Sequence, residues 1–279
     1  MRRSLLLLVL GVMTCPAGPA FAQRPVRYRD VVFEKVERTE GIAFRTATST
    51  GGGAAALTLD VYQPAGDREP LRPAILWIHG GGFRPGNDKR QKYIVGMSEA
   101  FAMRGWVSVA PDYRVRANPD PDRLPALRDA LEDCRAALAW VRTNAAAYRI
   151  EPTRIVIGGG SAGGMIAVNL AGLENIEAAA AKRPGLVALV DLWGSPAAAL
   201  TITEFGKTFP PTFIIHGTAD ATVPFAQSEA LAAALKAGGI AHELYAIPGA
   251  AHTPTADMAD LVGRTVAFVY PRLGLPAGR

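Results

Sequence analysis

Arg154-Ile-Val-Ile-Gly-Gly-Gly-Ser-Ala-Gly-Gly164 decides the fold. An apolar run ends in glycine, Gly159-Gly160-Ser161-Ala162-Gly163 follows, and a small-residue helix start comes next. This is a G-x-S-x-G pattern in a strand–turn–helix context. Physical chemistry explains the glycines. The turn is sharp enough to strain the serine backbone and lift its hydroxyl above a sheet. Side chains at Gly159 and Gly163 would collide with neighbouring elements. The following helix directs its first amides and positive dipole end at the same place. Ser161 is read as a nucleophile. The competing reading is a Gly-rich turn without chemistry.

The surrounding chain supplies the sheet. Ala74 to Ile78, Trp106 to Ala110, Arg154 to Ile157, Leu186 to Leu192 and Thr212 to Ile215 are short, continuous apolar runs. Strands buried on both faces of a parallel sheet need such runs. Helical patterns lie between them. Leu127, Leu131, Cys134, Leu138 and Val141 form one apolar face, while Arg128, Glu132, Arg135 and Arg142 point elsewhere. Helices also fit Lys92 to Arg104, Gly164 to Leu173, Ala226 to Ala237 and Asp257 to Tyr270. The alternation predicts an α/β fold with a mostly parallel, doubly wound sheet of about eight strands. Upstream, Leu57, Leu59 and Val61 alternate with polar partners as in a half-buried strand. Val31 to Val36 and Ile42 to Arg45 read as two short strands joined by a turn.

A second glycine cluster, His79-Gly80-Gly81-Gly82-Phe83, follows the Ala74 to Ile78 strand directly. Backbone amides at such a strand end can turn toward a ligand. With the amide of Ala162 they can cradle an oxyanion. A phosphate loop is excluded because no GK[ST] ending is present. His79 is expected to hold the loop rather than act as a base.

Where an elbow serine occurs, its partners follow in the order Ser, Asp or Glu, His. His216, His242 and His252 follow Ser161. His216 ends a strand ahead of the good acid candidates, and His242 opens the next strand. His252 lies beyond the Glu243 to Ile247 strand, past the turn Pro248-Gly-Ala-Ala251. Asp220 sits just past the Thr212 to Ile215 strand. Asp191 is the runner-up acid, and a helix N-cap is the alternative role for Asp220. In this reading His252 takes the Ser161 proton and returns it to a leaving group. Asp220 fixes the imidazole tautomer.

Composition narrows the classes. Across 279 residues, apolar side chains make up 49% and charged ones 20%, within the globular range. Arg2-Arg3, the apolar Leu5 to Leu10 and Ala20-Phe21-Ala22 resemble a signal peptide cut after Ala22, leaving residues 23–279 as one domain. The apolar run falls short of the ~20 residues of a spanning helix. Secretion or a periplasmic location, with no stable membrane insertion after cleavage, is the expectation. Loss of Arg2 and Arg3 lowers the net charge from +5 to +3, too mild to suggest nucleic acid. Cys134 is then the one remaining cysteine, on an apolar helix face, and is expected in the core.

HGGGF at 79–83, PDYR at 111–114, GGGSAGG at 158–164 and HGTAD-x-x-VPF at 216–225 with a following PGAAH resemble the α/β-hydrolase superfamily. The resemblance is to the bacterial carboxylesterase/lipase-like HGGG group, which includes feruloyl- and acetyl-esterase-like enzymes related to hormone-sensitive-lipase-type esterases. It covers about residues 55–270. It implies oxyanion donors at Gly81, Gly82 and Ala162, and no metal or organic cofactor. It implies a serine esterase acting on short-chain acyl, acetyl or feruloyl esters, with a small-molecule or carbohydrate-linked substrate. The related group carries a larger helical cap. Only 194–210 separate two strands here, so a minimal cap is expected. Two alternatives stay open: an amidase or peptidase of prolyl-oligopeptidase-like type, and a non-catalytic binding protein on this fold. Phe83, Trp193 and Phe225 are candidates for lining the pocket, with core packing as the alternative. Arg84, Asn87 and Asp88 are candidates for touching substrate.

Overall fold

The computed structural model describes residues 24–48, 54–119, 123–194 and 206–275. The segment read as a signal peptide, and 195–205 of the expected minimal cap, lie outside them. Eight strands form one sheet in the order β1-β2-β4-β3-β5-β6-β7-β8. They are β1 Val36–Thr48, β2 Ala54–Pro64, β3 Arg72–Ile78, β4 Val107–Pro111, β5 Ile150–Gly160, β6 Ala188–Leu192, β7 Thr212–Gly217 and β8 His242–Ile247. The first two run antiparallel to their neighbours, and β3 to β8 are mutually parallel.

Every residue of β3, β4, β6 and β7 is buried, as their apolar runs require. Helices α1 (Lys92–Ala102) and α5 (Met258–Val269) cover one face through Ile94, Phe101, Leu261 and Val266. Helices α2 (Leu124–Thr143), α3 (Ala162–Ala180) and α4 (Ala226–Ala237) cover the other through Leu127, Ile166 and Leu231. Cys134 of α2 is fully buried there, and burial pushes its thiol well above the usual range. From β3 the chain crosses to β4 on one side and returns to β5 on the other. This reversal of winding direction opens a crevice at the carboxyl ends of β3 and β5, where open α/β sheets bind ligands.

Two elements differ from the sequence expectation. The two short strands expected at 31–36 and 42–45 are one strand, β1, and residues 31–35 belong to no strand. The expected turn is a bulge. Register shifts fall between Thr39 and Ile42 and between Ala43 and Arg45, and the Gly41 amide bonds Asp60 Oδ1 at 2.9 Å. Helix α3 runs to Ala180 rather than Leu173. Its first half is buried all round, and the alanine-rich second half exposes Ile176, Ala179 and Ala180 beside buried Asn175 and Ala178, so no polar face marks where it ends.

Candidate active site

The elbow stands between β5 and α3. Ser161 has φ 55° and ψ −119°, a conformation that costs a non-glycine residue ~1–3 kcal/mol. Packing holds it there. A Cβ added at Gly163 would lie 2.1 Å from the Ile78 carbonyl oxygen, and one at Gly159 would lie 2.4 Å from that of Gly163. Only bare backbone lets α3 start this close to the end of β3. The Ser161 amide donates to the Leu192 carbonyl at 2.9 Å, anchoring the turn to β6.

Loops after β7 and β8 bring two more groups to the serine. His252 Nε2 lies 3.0 Å from Ser161 Oγ, and its Nδ1 lies 2.6 Å from Asp220 Oδ2. With the carboxylate accepting from Nδ1–H, Nε2 carries the lone pair and accepts the hydrogen bond of the Ser161 hydroxyl. The Asp220 carboxylate is buried. Its Oδ1 accepts the amides of Thr222 at 2.8 Å and Val223 at 2.9 Å. Burial raises this carboxyl, but the His252 bond and the two amides outweigh it and hold it below the ordinary carboxylate range. The N-cap position of α4 is Phe225, so Asp220 is not that helix's cap.

The other candidates are elsewhere. His242 Nδ1 bonds the Ile240 carbonyl at the start of β8. Asp191 lies within β6, paired to Gly159, beneath the elbow. His79 is buried, stacked on Tyr113 at 4.2 Å between ring centres, with Nδ1–H donating to Gly80 O at 2.8 Å. It holds the loop.

That loop, 79–83, lies against the elbow: a Cβ on Gly80 would sit 3.2 Å from the Ser161 Cβ. The Gly80 amide donates to Tyr93 Oη at 2.8 Å and to Gln91 Oε1 at 3.0 Å. Tyr113 Oη donates to the His79 and Gly80 carbonyls at 3.0 and 3.2 Å. The next two amides, of Gly81 and Gly82, and that of Ala162 have no protein acceptor among the described residues. All three residues line a cavity of about 560 Å³ that also holds Ser161 and His252. Phe83, Met165 and Trp193 form an apolar part of its wall. Four non-glycine lining residues have positive φ: Phe83 at 64°, Ser161 at 55°, Trp193 at 43° and Thr253 at 60°. Backbone strain thus gathers around the cavity, with Tyr28, Arg149 and Lys182 the other such residues among those described.

Of the other sequence candidates, Arg84 and Asn87 line the cavity, whereas Asp88 pairs with Arg90. Phe225 does not line it and instead packs edge-on against His216, 5.7 Å between ring centres. Sequence reasoning missed Tyr93 and Gln91, whose contacts cross from α1 to the loop and leave no local pattern. It also left His216 without a role. Among the described residues, no group of three or more His, Cys, Asp and Glu side chains is placed to hold a metal.

The profile of the BD-FAE family matches residues 59–194, and that of the prolyl oligopeptidase family matches 192–274. Esterase LipQ of Mycobacterium tuberculosis is 32% identical, over 82% of this chain and 62% of its own length. Esterase 2 of Thermogutta terrifontis, solved phosphorylated by paraoxon, superposes with a TM-score of 0.66 at 27% identity, covering 91% of this chain and 100% of that one. The chain has the α/β-hydrolase fold of these esterases. This α/β hydrolase thus spans under two thirds of the length of LipQ. A truncated carbohydrate esterase from gut microbiota shares the fold, with a TM-score of 0.68 at 19% identity over 90% of this chain and 99% of that one.

Proposed function

We propose that this α/β hydrolase is a serine carboxylic ester hydrolase in which Ser161, His252 and Asp220 act as the triad. The observation that carries the reading is the unbroken hydrogen-bonded chain Ser161–His252–Asp220, opening into a cavity edged by three amides without protein acceptors. Ser161 Oγ attacks the ester carbonyl carbon as His252 Nε2 takes its proton. The carbonyl oxygen becomes an oxyanion, which the amides of Gly81, Gly82 and Ala162 receive. The tetrahedral adduct then breaks its C–O bond to the alcohol, which leaves with the proton from His252. Water, deprotonated by the same imidazole, attacks the acyl carbon; the C–Oγ bond breaks, Ser161 Oγ takes the proton back from His252, and the carboxylic acid leaves. Asp220 stays ionised and stabilises the imidazolium.

Short or aromatic acyl groups suit the Phe83, Met165 and Trp193 wall. Thermogutta esterase 2 has been solved with propionate and with butyrate. The alcohol side of the substrate is a small molecule or a carbohydrate. The prolyl oligopeptidase match over 192–274 favours amide substrates as the second reading. We further propose that the chain is secreted or periplasmic after cleavage at Ala22. The mass of the exported protein tests this.

The deciding experiment is hydrolysis of p-nitrophenyl acetate, butyrate and octanoate, with a p-nitroanilide in parallel. The Ser161→Ala variant is the control. Ester turnover that falls by at least about 10³-fold in the variant is expected. Anilide turnover exceeding ester turnover transfers the assignment to the amidase. Equal turnover in the variant removes Ser161 from the chemistry.

A further inference from the structure

His216 lies on the same carboxylate as His252. Its Nε2 is 3.0 Å from Asp220 Oδ2 and 3.0 Å from the Val223 carbonyl oxygen, and its Nδ1 is 2.6 Å from Ser228 Oγ on α4. The side chains of His216 and Ser228 are fully buried. Both partners of Nε2 can only accept, so Nε2 carries the ring proton. In the neutral imidazole Nδ1 then accepts from the Ser228 hydroxyl. The result is a symmetric arrangement, Ser228–His216–Asp220–His252–Ser161. One carboxylate oxygen takes an N–H from each imidazole, and each imidazole accepts from a serine. With the amides of Thr222 and Val223 on the other oxygen, the Asp220 carboxylate accepts four hydrogen bonds.

Packing alone does not explain this. A buried pocket beside Phe225 is filled as well by an apolar residue, at lower desolvation cost than an imidazole. A second N–H on Oδ2 does two things for the reaction. It fixes the direction of that oxygen toward His252. It also draws off negative charge that would otherwise act wholly on the His252 ring. The other ionisable groups around the pair are few. Ser228 and Phe225 face His216 from α4 and the loop before it, and Glu229, next to Ser228, is exposed. Among the described residues, no ionisable side chain besides His216 and His252 hydrogen-bonds Asp220.

Resting on the triad reading above, we propose that His216 is a positioning residue for the reaction: its Nε2–H, held by the Ser228 bond on Nδ1, orients Asp220 Oδ2 and sets the basicity of His252. His216 touches no substrate and acts through Asp220.

The test is the pH profile of kcat/KM on p-nitrophenyl butyrate for the intact chain, His216→Leu and His216→Gln. Glutamine keeps an N–H near the Nε2 position, whereas leucine keeps only volume. The leucine variant is expected to move the acid limb upward by about 0.5–1 pH unit, because the uncompensated carboxylate stabilises the His252 cation more. The glutamine variant should restore the limb to within about 0.2 unit of the parent. Loss of rate in both variants with the limb unmoved would reduce His216 to packing and overturn the proposal. Because the leucine variant also risks misfolding, ¹⁵N ring shifts of the histidine-labelled parent chain give an independent reading. A proton on Nε2 of His216 is expected, and a proton on Nδ1 overturns the network. This second measurement needs no turnover, so a parent without Ser161-dependent hydrolysis would refute the esterase reading while the network is still decided.

Discussion

Ser161 is a side-chain-bearing residue in a backbone conformation that glycine would occupy without strain. Ser161→Gly is therefore expected to abolish turnover and yet stabilise the fold by about 1 kcal/mol, a Tm rise of about 2–4 °C by scanning calorimetry. An unchanged or lower Tm would mean that the lost His252 contact outweighs the released strain. The glycines around Ser161 made this position readable, because each answers a local steric demand. Chain order then pointed to Asp220 and His252. Tyr93, Gln91 and His216 were not readable in the same way. Their contacts join α1 to the glycine loop, and the end of β7 to α4, so no spacing along the chain encodes them.

Elements are joined by charges that the helical pattern did not foretell. The apolar face of α2 was legible from its spacing of threes and fours, yet Asp133, beside that stripe, is completely buried. Its Oδ2 accepts the amide and Nε of Arg114, which follows β4, at 2.9 and 2.8 Å, and its Oδ1 meets Arg45 of β1 at 3.3 Å. One carboxylate thus ties an edge strand, a loop and a helix together. Asp133→Ala removes the anion that Arg114 and Arg45 share and is expected to cost about 3 kcal/mol in urea unfolding. Activity per folded molecule should be unchanged, since Asp133 does not line the cavity. A loss below about 1 kcal/mol would show that Glu132 and Asp129, which also pair with Arg114, carry the link. Strand boundaries were legible where both faces are buried. The β1 bulge was not, because an exposed edge strand has little apolar pattern to read.

For the whole molecule, two carboxyls set opposite pH trends. Asp191 is buried beneath the elbow, where burial lifts it to about 7 against a smaller pull from the Gly194 amide, and neither oxygen reaches a full hydrogen bond among the described residues. A carboxyl raised in the fold holds a proton that the unfolded chain has released. Stability therefore falls as pH rises from about 4 to 7, by at most ~1.4 kcal/mol per pH unit. Asp220 is depressed, so its contribution is present above about 4 and is lost below that as its folded value is approached. Asp191→Asn is expected to flatten the fall between pH 4 and 7 and to stabilise the protein at pH 8, on the order of 3 kcal/mol. Parallel stability curves for parent and variant would show that Asp191 does not titrate in this window. The overall architecture was the most legible level, because alternating apolar runs and amphipathic helices constrain winding more tightly than they constrain any contact.

The buried cysteine of α2 gives these measurements an internal clock. Cys134 has no accessible surface, and its thiol is held in the unreactive, protonated form. A disulfide reagent added to the native protein can react at Cys134 only when α2 lifts from the sheet. The rate at which colour develops therefore counts openings of that half of the molecule. Compared with the rate of activity loss, it would tell whether the sheet and the cavity come apart in one event or in two.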